Sequence, residues 1–238
     1  ARSARLLTPA EPEEIPAIVV HRLFERVDRA AAKETAQAYL EALRRWAEQE
    51  VALPPAVTMA EYAERIERSY PFHPELVHVL DTRVGSIPNF QRTRGALRLL
   101  ARVVRRLWNR QPPQMWLIHP GDVDLGDPDV LEDLTNRLDR PAFKQVAEAD
   151  IASRDPKAPA HAEVIAAHRG GRRPAGRLAT TIFLHSLALT GVVGIDPPSL
   201  LAATLRPDDQ PDTLARVLDE LRQHCWFLAT NDQRDRYW

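Results

Sequence analysis

Arginines crowd the start of a helix that the sequence predicts over residues 91–110. Arg92 and Arg94 fall in or just before its first turn, and Arg98 lies one turn after Arg94 on the same side. A first turn presents free backbone N–H groups and the positive dipole end, so cations are unfavourable there unless an anion is present. Because guanidinium matches phosphate in charge and geometry, we predict a nucleotide-phosphate site at these three residues. The competing interpretation is that the seven arginines of this helix form its solvated face.

The elements that must position these arginines are predicted to be mostly α-helical. Helix-spaced apolar residues and proline-marked turns indicate a connector over residues 1–16, a helical lid over 17–110 and a helical connector over 111–176. Three helices followed by a β-hairpin over residues 177–238 predict a winged helix-turn-helix with a small hairpin wing. The nucleotide's other wall is expected to lie outside this chain.

Short sequence patterns predict where individual helices of the lid begin and which face of the arginine helix is buried. Thr58 with Glu61 has the spacing of a capping box, which predicts that a helix begins at Thr58. The segment from Tyr70 to Pro74 is read as a structural bend, with Pro74 opening the next helix. In the arginine helix, the apolar set that should face inward ends at Trp108.

Composition narrows the class of protein. The 238 residues are 44% apolar and 27% charged, and the net charge of -1 restricts any nucleic-acid binding to a local patch. The single cysteine, Cys225, fits a reducing compartment, and no run approaches the roughly 20 apolar residues that span a bilayer. Without a secretory leader, we expect a cytoplasmic protein with no membrane contact. The terminal aromatic run suggests a piece of a longer polypeptide.

Four segments carry a family resemblance. Arg94-Gly95-Ala96-Leu97 resembles the Arg-x-Ala-Leu of the second sensor helix in AAA+ ATPases of the replication-initiator and loader kind. The chain from about Ile18 also resembles a family of large bacterial ATPases, known only as a domain of unknown function, found in restriction-like, phage-defence gene clusters. The four segments that resemble this second family are Tyr70 to Pro74, Phe90 to Arg98, Thr181 to Ser186, and Arg236-Tyr237-Trp238. The resemblance implies that Arg94 contacts the terminal phosphate of ATP.

Two motifs needed for hydrolysis are missing from the sequence. It contains no G-x-x-x-x-G-K-[ST] phosphate loop and no apolar strand ending in paired acidic residues for Mg²⁺. This piece alone should therefore not hydrolyse ATP. The resemblance implies an upstream ATPase core as partner, which would hold ATP, or GTP, together with Mg²⁺. Defence-system proteins and nucleic acid are the other partners that it implies.

Other residues that could do chemistry have simpler interpretations. His73 and His78 are off metal-binding spacing, His161 and His168 lack companion ligands, and His185 and Ser186 point apart on a helix. Cys225 is read as a small core residue. The aspartates of one loop lack EF-hand order and are read as helix caps; they are Asp122, Asp124, Asp127 and Asp129.

Nucleic-acid contact by the winged helix has mixed support. The third helix of this module, which usually enters the major groove, is partly acidic here. The basic candidates are Arg172 and Arg173 before the module and Arg234 and Arg236 in the wing. Two alternatives to the ATPase reading stay open: a helical scaffold without nucleotide, and a winged-helix DNA-binding regulator.

Overall fold

A computed structural model describes residues 15–87, 92–112, 115–168, 174–188, 192–231, 233 and 235–238, and the described chain is mostly helical. Its eleven α-helices are α1 (Ile15–Leu23), α2 (Arg29–Glu48), α3 (Ala60–Ser69), α4 (Pro74–Thr82), α5 (Arg92–Arg110), α6 (Pro128–Leu134), α7 (Ala142–Val146), α8 (His161–His168), α9 (Pro174–Ser186), α10 (Pro197–Thr204) and α11 (Pro211–His224). Short 3₁₀ helices span Pro55–Thr58, Val84–Ser86, Pro120–Asp122 and Asn136–Leu138, and one π-helical turn spans Ala147–Ile151.

Helix α2 begins at a side-chain cap and packs through one apolar face. The Asp28 carboxylate accepts hydrogen bonds from the backbone N–H groups of Ala30 and Ala31, at 2.9 and 3.1 Å. Residues spaced by three or four positions then face inward against α3, including Tyr39, Leu43 and Trp46.

Helix α3 begins differently from the prediction. Met59, not Thr58, occupies the N-cap position, and it makes no side-chain capping bond. Thr58 closes the preceding 3₁₀ helix, where its hydroxyl donates to the Pro55 carbonyl at 2.9 Å. The predicted capping box is therefore wrong, because the hydroxyl bonds backward into its own turn.

The predicted bend between α3 and α4 is confirmed. The Tyr70–Pro71 peptide is cis, and α4 then begins with Pro74 at its first position. His73 is the N-cap, because its Nδ1 accepts a hydrogen bond from the Glu75 backbone N–H. Phe72 forms an isolated parallel bridge with Ile118, which joins this bend to the extended segment before the turn at 120–122.

Helix α5 agrees with its predicted bounds, and its predicted apolar face holds except at its last residue. Leu100 and Val103 are buried, as the helical spacing predicted, and Leu99, which that prediction left out, is buried as well. Trp108 was expected to face inward, yet its side chain is 76% exposed. The expectation fails because Trp108 lies in the last turn of α5, where the buried face of the helix has already ended at Val103 and half-buried Leu107.

Helix α9 is the centre of the second half of the chain. It contacts α4, α8, α10, α11 and the 3₁₀ turn at 120–122. A Cβ added at Gly121 would lie 2.7 Å from the Arg177 backbone, so only glycine permits this close approach. Two ion pairs fasten the same region, Arg177 to Asp209 at 2.9 Å and Arg206 to Asp122 at 2.6 Å.

The predicted hairpin wing is reduced to isolated bridges in the part of the chain that the structure describes. Tyr237 bridges both Ile195 and Thr230 in antiparallel fashion, and Ala229 and Trp238 exchange two backbone hydrogen bonds. No described residue belongs to a continuous β-strand. The fold is therefore established as mostly α-helical, and the residues that the structure describes after α11 form no continuous hairpin.

The buried apolar residues form one cluster that reaches from Val19 to Tyr237. It includes residues of α1 to α6 and of α8 to α11. Among the described helices, none is long and apolar enough to cross a membrane.

Candidate functional site

Arg94 presents a free guanidinium near the start of α5. The residue is exposed, and it makes no ion pair with any described residue. It lies in the first turn, where backbone N–H groups lack intrahelical partners. The side chain of Arg92 lies outside the described part of the structure.

The next arginines of α5 are held by aspartates of the segment 124–133. Arg98 and Arg102 both reach Asp133, at 3.3 and 3.4 Å, and Asp133 is almost fully buried. Arg137 approaches the same carboxylate at 3.0 Å. Arg98 therefore has a carboxylate partner within the chain, unlike Arg94, and fixes α5 against α6.

The end of α5 continues this pattern. Arg106 pairs with Asp124 and with Asp127 at 2.7 Å, and Arg110 pairs with Asp124 at 2.8 Å. Asp127 also caps α6, because its carboxylate accepts from the first N–H groups of that helix. The capping role predicted for this acidic loop is confirmed at Asp127, but the ion pairs with α5 were not anticipated.

The candidate DNA-binding arginines are only partly described. Arg172, Arg173 and Arg234 lie outside the described residues. Arg236 donates a hydrogen bond to the Gly194 carbonyl at 3.0 Å. Its guanidinium thus fastens the segment around Tyr237 to the loop before α10.

Two buried imidazoles form a stacked pair that the sequence did not reveal. The rings of His73 and His119 are stacked with centroids 4.4 Å apart. The Tyr39 hydroxyl lies 2.6 Å from His119 Nε2, and the Tyr62 hydroxyl lies 3.3 Å from His73 Nε2. Both histidines are about 1% exposed, so this cluster is closed to solvent.

Hydrogen bonding assigns opposite tautomers to these imidazoles. His73 Nδ1 accepts from the Glu75 N–H, so its proton is on Nε2. His119 Nδ1 faces the Ala203 carbonyl at 2.8 Å and must donate, so its Nε2 accepts from Tyr39. Burial, reinforced by Arg65, lowers the pKa of His73 to about 3, and burial also lowers the pKa of His119 well below its usual range. Both rings are neutral supports of the fold.

A second buried histidine contact joins α4 to α9. His185 Nε2 lies 3.3 Å from Glu75 Oε1, and neither ring nitrogen of His185 has a hydrogen bond with good geometry. Burial, with a further contribution from Arg83, lowers the pKa of His185 to about 3. Burial raises the pKa of Glu75 to about 7. Ser186 bonds to the Ile182 carbonyl instead, so the two adjacent residues point apart as predicted.

Asp150 anchors the segment that follows α11. It lies in the π-helical turn and accepts hydrogen bonds from the backbone N–H groups of Trp226 and Phe227, at 3.0 and 2.7 Å. It also contacts His161 Nδ1 at 2.8 Å, and the His161 side chain is half-buried. Burial, with Asp150 nearby, raises the pKa of Cys225 to about 12, which makes its thiol a poor nucleophile.

Metal ligands do not converge in the part of the chain that the structure describes. No described group of three or more histidine, cysteine, aspartate or glutamate side chains could hold a metal ion. The loop aspartates are instead engaged by arginines and by helix starts.

Comparison with known proteins identifies a family and one similar archaeal protein. A protein-family model described as DUF499 second domain matches residues 10–238. A protein of Archaeoglobus fulgidus, described as uncharacterized, is 37% identical over 59 residues, covering 24% of this chain and 78% of that protein. No solved structure gives a significant match.

Proposed function

This chain belongs to the DUF499 second-domain family, and from that premise we propose that it is the nucleotide-sensing lid and winged-helix portion of a P-loop ATPase of the AAA+ kind. The ATPase would act in bacterial defence or in DNA transactions. The phosphate loop and the Mg²⁺ ligands would belong to a separate core domain. The description of the family as a second domain supports a neighbouring domain that could supply them.

The observation that carries the proposal is the contrast between Arg94 and the arginines that follow it. Arg98, Arg102, Arg106 and Arg110 are all committed to aspartates of this chain. Arg94 is exposed and unpaired among the described residues, in a turn where a cation is unfavourable without an anion. A triphosphate bound by a neighbouring core would supply that anion. Arg94 would then stabilise phosphate charge, without taking part in proton transfer.

The winged-helix part of the proposal rests on the order of the elements. Helix α9 is followed by Ile195, α10, α11 and then the paired segments around Ala229 and Tyr237. Ile195 and Tyr237 exchange two backbone hydrogen bonds of 2.9 Å, which is the contact expected between the first and last strands of a winged helix. This module would pass lid movement to a partner protein or nucleic acid.

The experiment is ATP turnover by the full-length polypeptide with Arg94→Ala. Loss of a charge aimed at the transferring phosphate should lower turnover by about 10²-fold or more. Assayed in the absence of nucleic acid, Arg105→Ala is the matched control, because Arg105 is also exposed and unpaired among the described residues, and lies on the same helix. An unaltered rate and unaltered nucleotide affinity for Arg94→Ala would refute the assignment.

A non-enzymatic scaffold is favoured by a different observation. Trp226 is 75% exposed and Phe227 is 40% exposed, directly after α11. Exposed aromatic side chains mark surfaces that other proteins cover. If the full-length polypeptide neither binds nor hydrolyses a nucleotide, this reading replaces the ATPase.

A further inference from the structure

The C-terminal half of α5 carries an exposed strip that ends in a tryptophan. Ala101, Arg105 and Trp108 are separated by four and three positions, so they lie on one side of the helix, and all three are exposed. Arg105 makes no ion pair with a described residue, and Trp108 is 76% exposed. The surface therefore presents an indole face and, three positions away, a guanidinium that is unpaired among the described residues.

A polar groove runs beside this strip. Its volume is about 310 Å³, and its walls are Arg102, Arg105, Arg106, Asn109, Arg110, Asp127 and Asp129. Both carboxylates of the wall already face arginines, Asp127 with Arg106 at 2.7 Å and Asp129 with Arg102 at 3.5 Å. The other three arginines of the wall are paired with aspartates, so Arg105 is the wall arginine that has no ion pair with a described residue.

We propose that this surface binds single-stranded nucleic acid. A base stacks on the Trp108 indole, while Arg105 binds the adjoining phosphate at the groove. Base–aromatic stacking combined with arginine contacts to the backbone is how proteins hold single strands without reading their sequence. Duplexes fit less well, because their bases are already stacked on each other and cannot cover the indole.

The charge of the surface favours a nucleic acid over a protein segment. An apolar protein surface that covered Trp108 would also bury Arg105 without a counter-charge, which is costly. A single strand provides a π-face and an anion one nucleotide apart. The surface also lies apart from Arg94, since 14 residues of helix separate Arg94 from Trp108, or about 21 Å.

The test is fluorescence anisotropy of a labelled 12-nucleotide oligothymidylate and of a 12-base-pair duplex, each titrated with the purified chain. We expect the single strand to bind more tightly than the duplex, and Trp108→Ala to weaken that binding by roughly 5- to 100-fold. Arg105→Ala should weaken it and reduce the slope of log K against log salt by about 0.7. Circular dichroism checks that each variant remains folded.

Two control variants keep this result apart from the ATPase proposal. Trp226→Ala removes an equally exposed indole elsewhere and should leave oligonucleotide binding unchanged. Arg94→Ala should also leave it unchanged, whereas it is the variant expected to impair ATP turnover. The proposal is overturned if the chain binds no oligonucleotide, if Trp108→Ala binds as tightly as the parent, or if a protein partner covers Trp108 in the full-length complex.

Discussion

Mild acid should destabilise this fold through its buried histidines. The pKa values of His73 and His185 are lowered to about 3, and that of His119 is also well below its usual range. In the unfolded chain the same imidazoles titrate at about 6.5. Between pH 6 and pH 5 the unfolded chain therefore takes up protons that the folded chain does not, and the free energy of unfolding falls as pH falls.

Glu75 acts in the opposite direction. Its pKa is raised to about 7 in the fold, so the folded chain takes up this proton at a higher pH than the unfolded chain. From pH 6 to pH 5, His73 and His185 cost about 2.4 kcal/mol and Glu75 returns about 1.2, which leaves a net loss of about 1.2 kcal/mol. The lowered pKa values of His119 and His78 add to this loss in the same direction. Domains of this kind are stable by only about 5–15 kcal/mol, so the loss is easily measured.

The assay is urea denaturation at pH 6.0, 5.5 and 5.0, followed by circular dichroism. Glu75→Gln removes the opposing titration, so the loss over the same range should grow to at least about 2.4 kcal/mol. Stability that stays flat or rises between pH 6 and pH 5 would refute the assignment of three neutral, buried histidines.

Three substitutions test the packing around the site. Asp133→Ala leaves three arginines without their buried carboxylate and should cost about 3 kcal/mol of unfolding free energy; an undiminished value would show that these pairs contribute nothing. Gly121→Ala places a methyl group 2.7 Å from the α9 backbone and should lower the free energy of unfolding by about 1–3 kcal/mol. Gly176→Ala, where an added Cβ meets nothing within 4 Å, should be neutral or stabilising. Thermal denaturation measures both variants. Tyr39→Phe leaves the buried Nε2 of His119 without its donor and should cost about 1–3 kcal/mol in urea, unless a water replaces the hydroxyl.

The positions of the helices could be predicted from the sequence because they depend on residues that are close together along the chain. The bounds of α5 follow from apolar residues at helical spacing, and the bend before α4 follows from Pro71 and Pro74. The capping box at Thr58 failed because the same hydroxyl could bond within a 3₁₀ turn, and sequence spacing does not decide between the two bonds.

Only part of the candidate site could be predicted from the sequence, because its ion pairs join residues that are far apart along the chain. Sequence placed Arg94 and Arg98 together at one helix start, but it could not assign Asp133, 35 residues later, to Arg98. The stacked histidines likewise belong to distant segments that only the folded chain brings together. Such pairings depend on tertiary contacts, so the difference between a free and a committed arginine appears only in three dimensions.

The continuous apolar cluster from Val19 to Tyr237 has a mechanical consequence. Helix α9 contacts α4 in the first half of the chain and α8, α10 and α11 in the second half. The Arg177–Asp209 and Arg206–Asp122 pairs hold α9 and the turn at 120–122 to the segment between α10 and α11. Because close-packed interiors resist relative displacement, we expect a movement of the first turn of α5 to carry the surface around Trp226 with it. A hinge would have to lie outside the segments that this cluster joins.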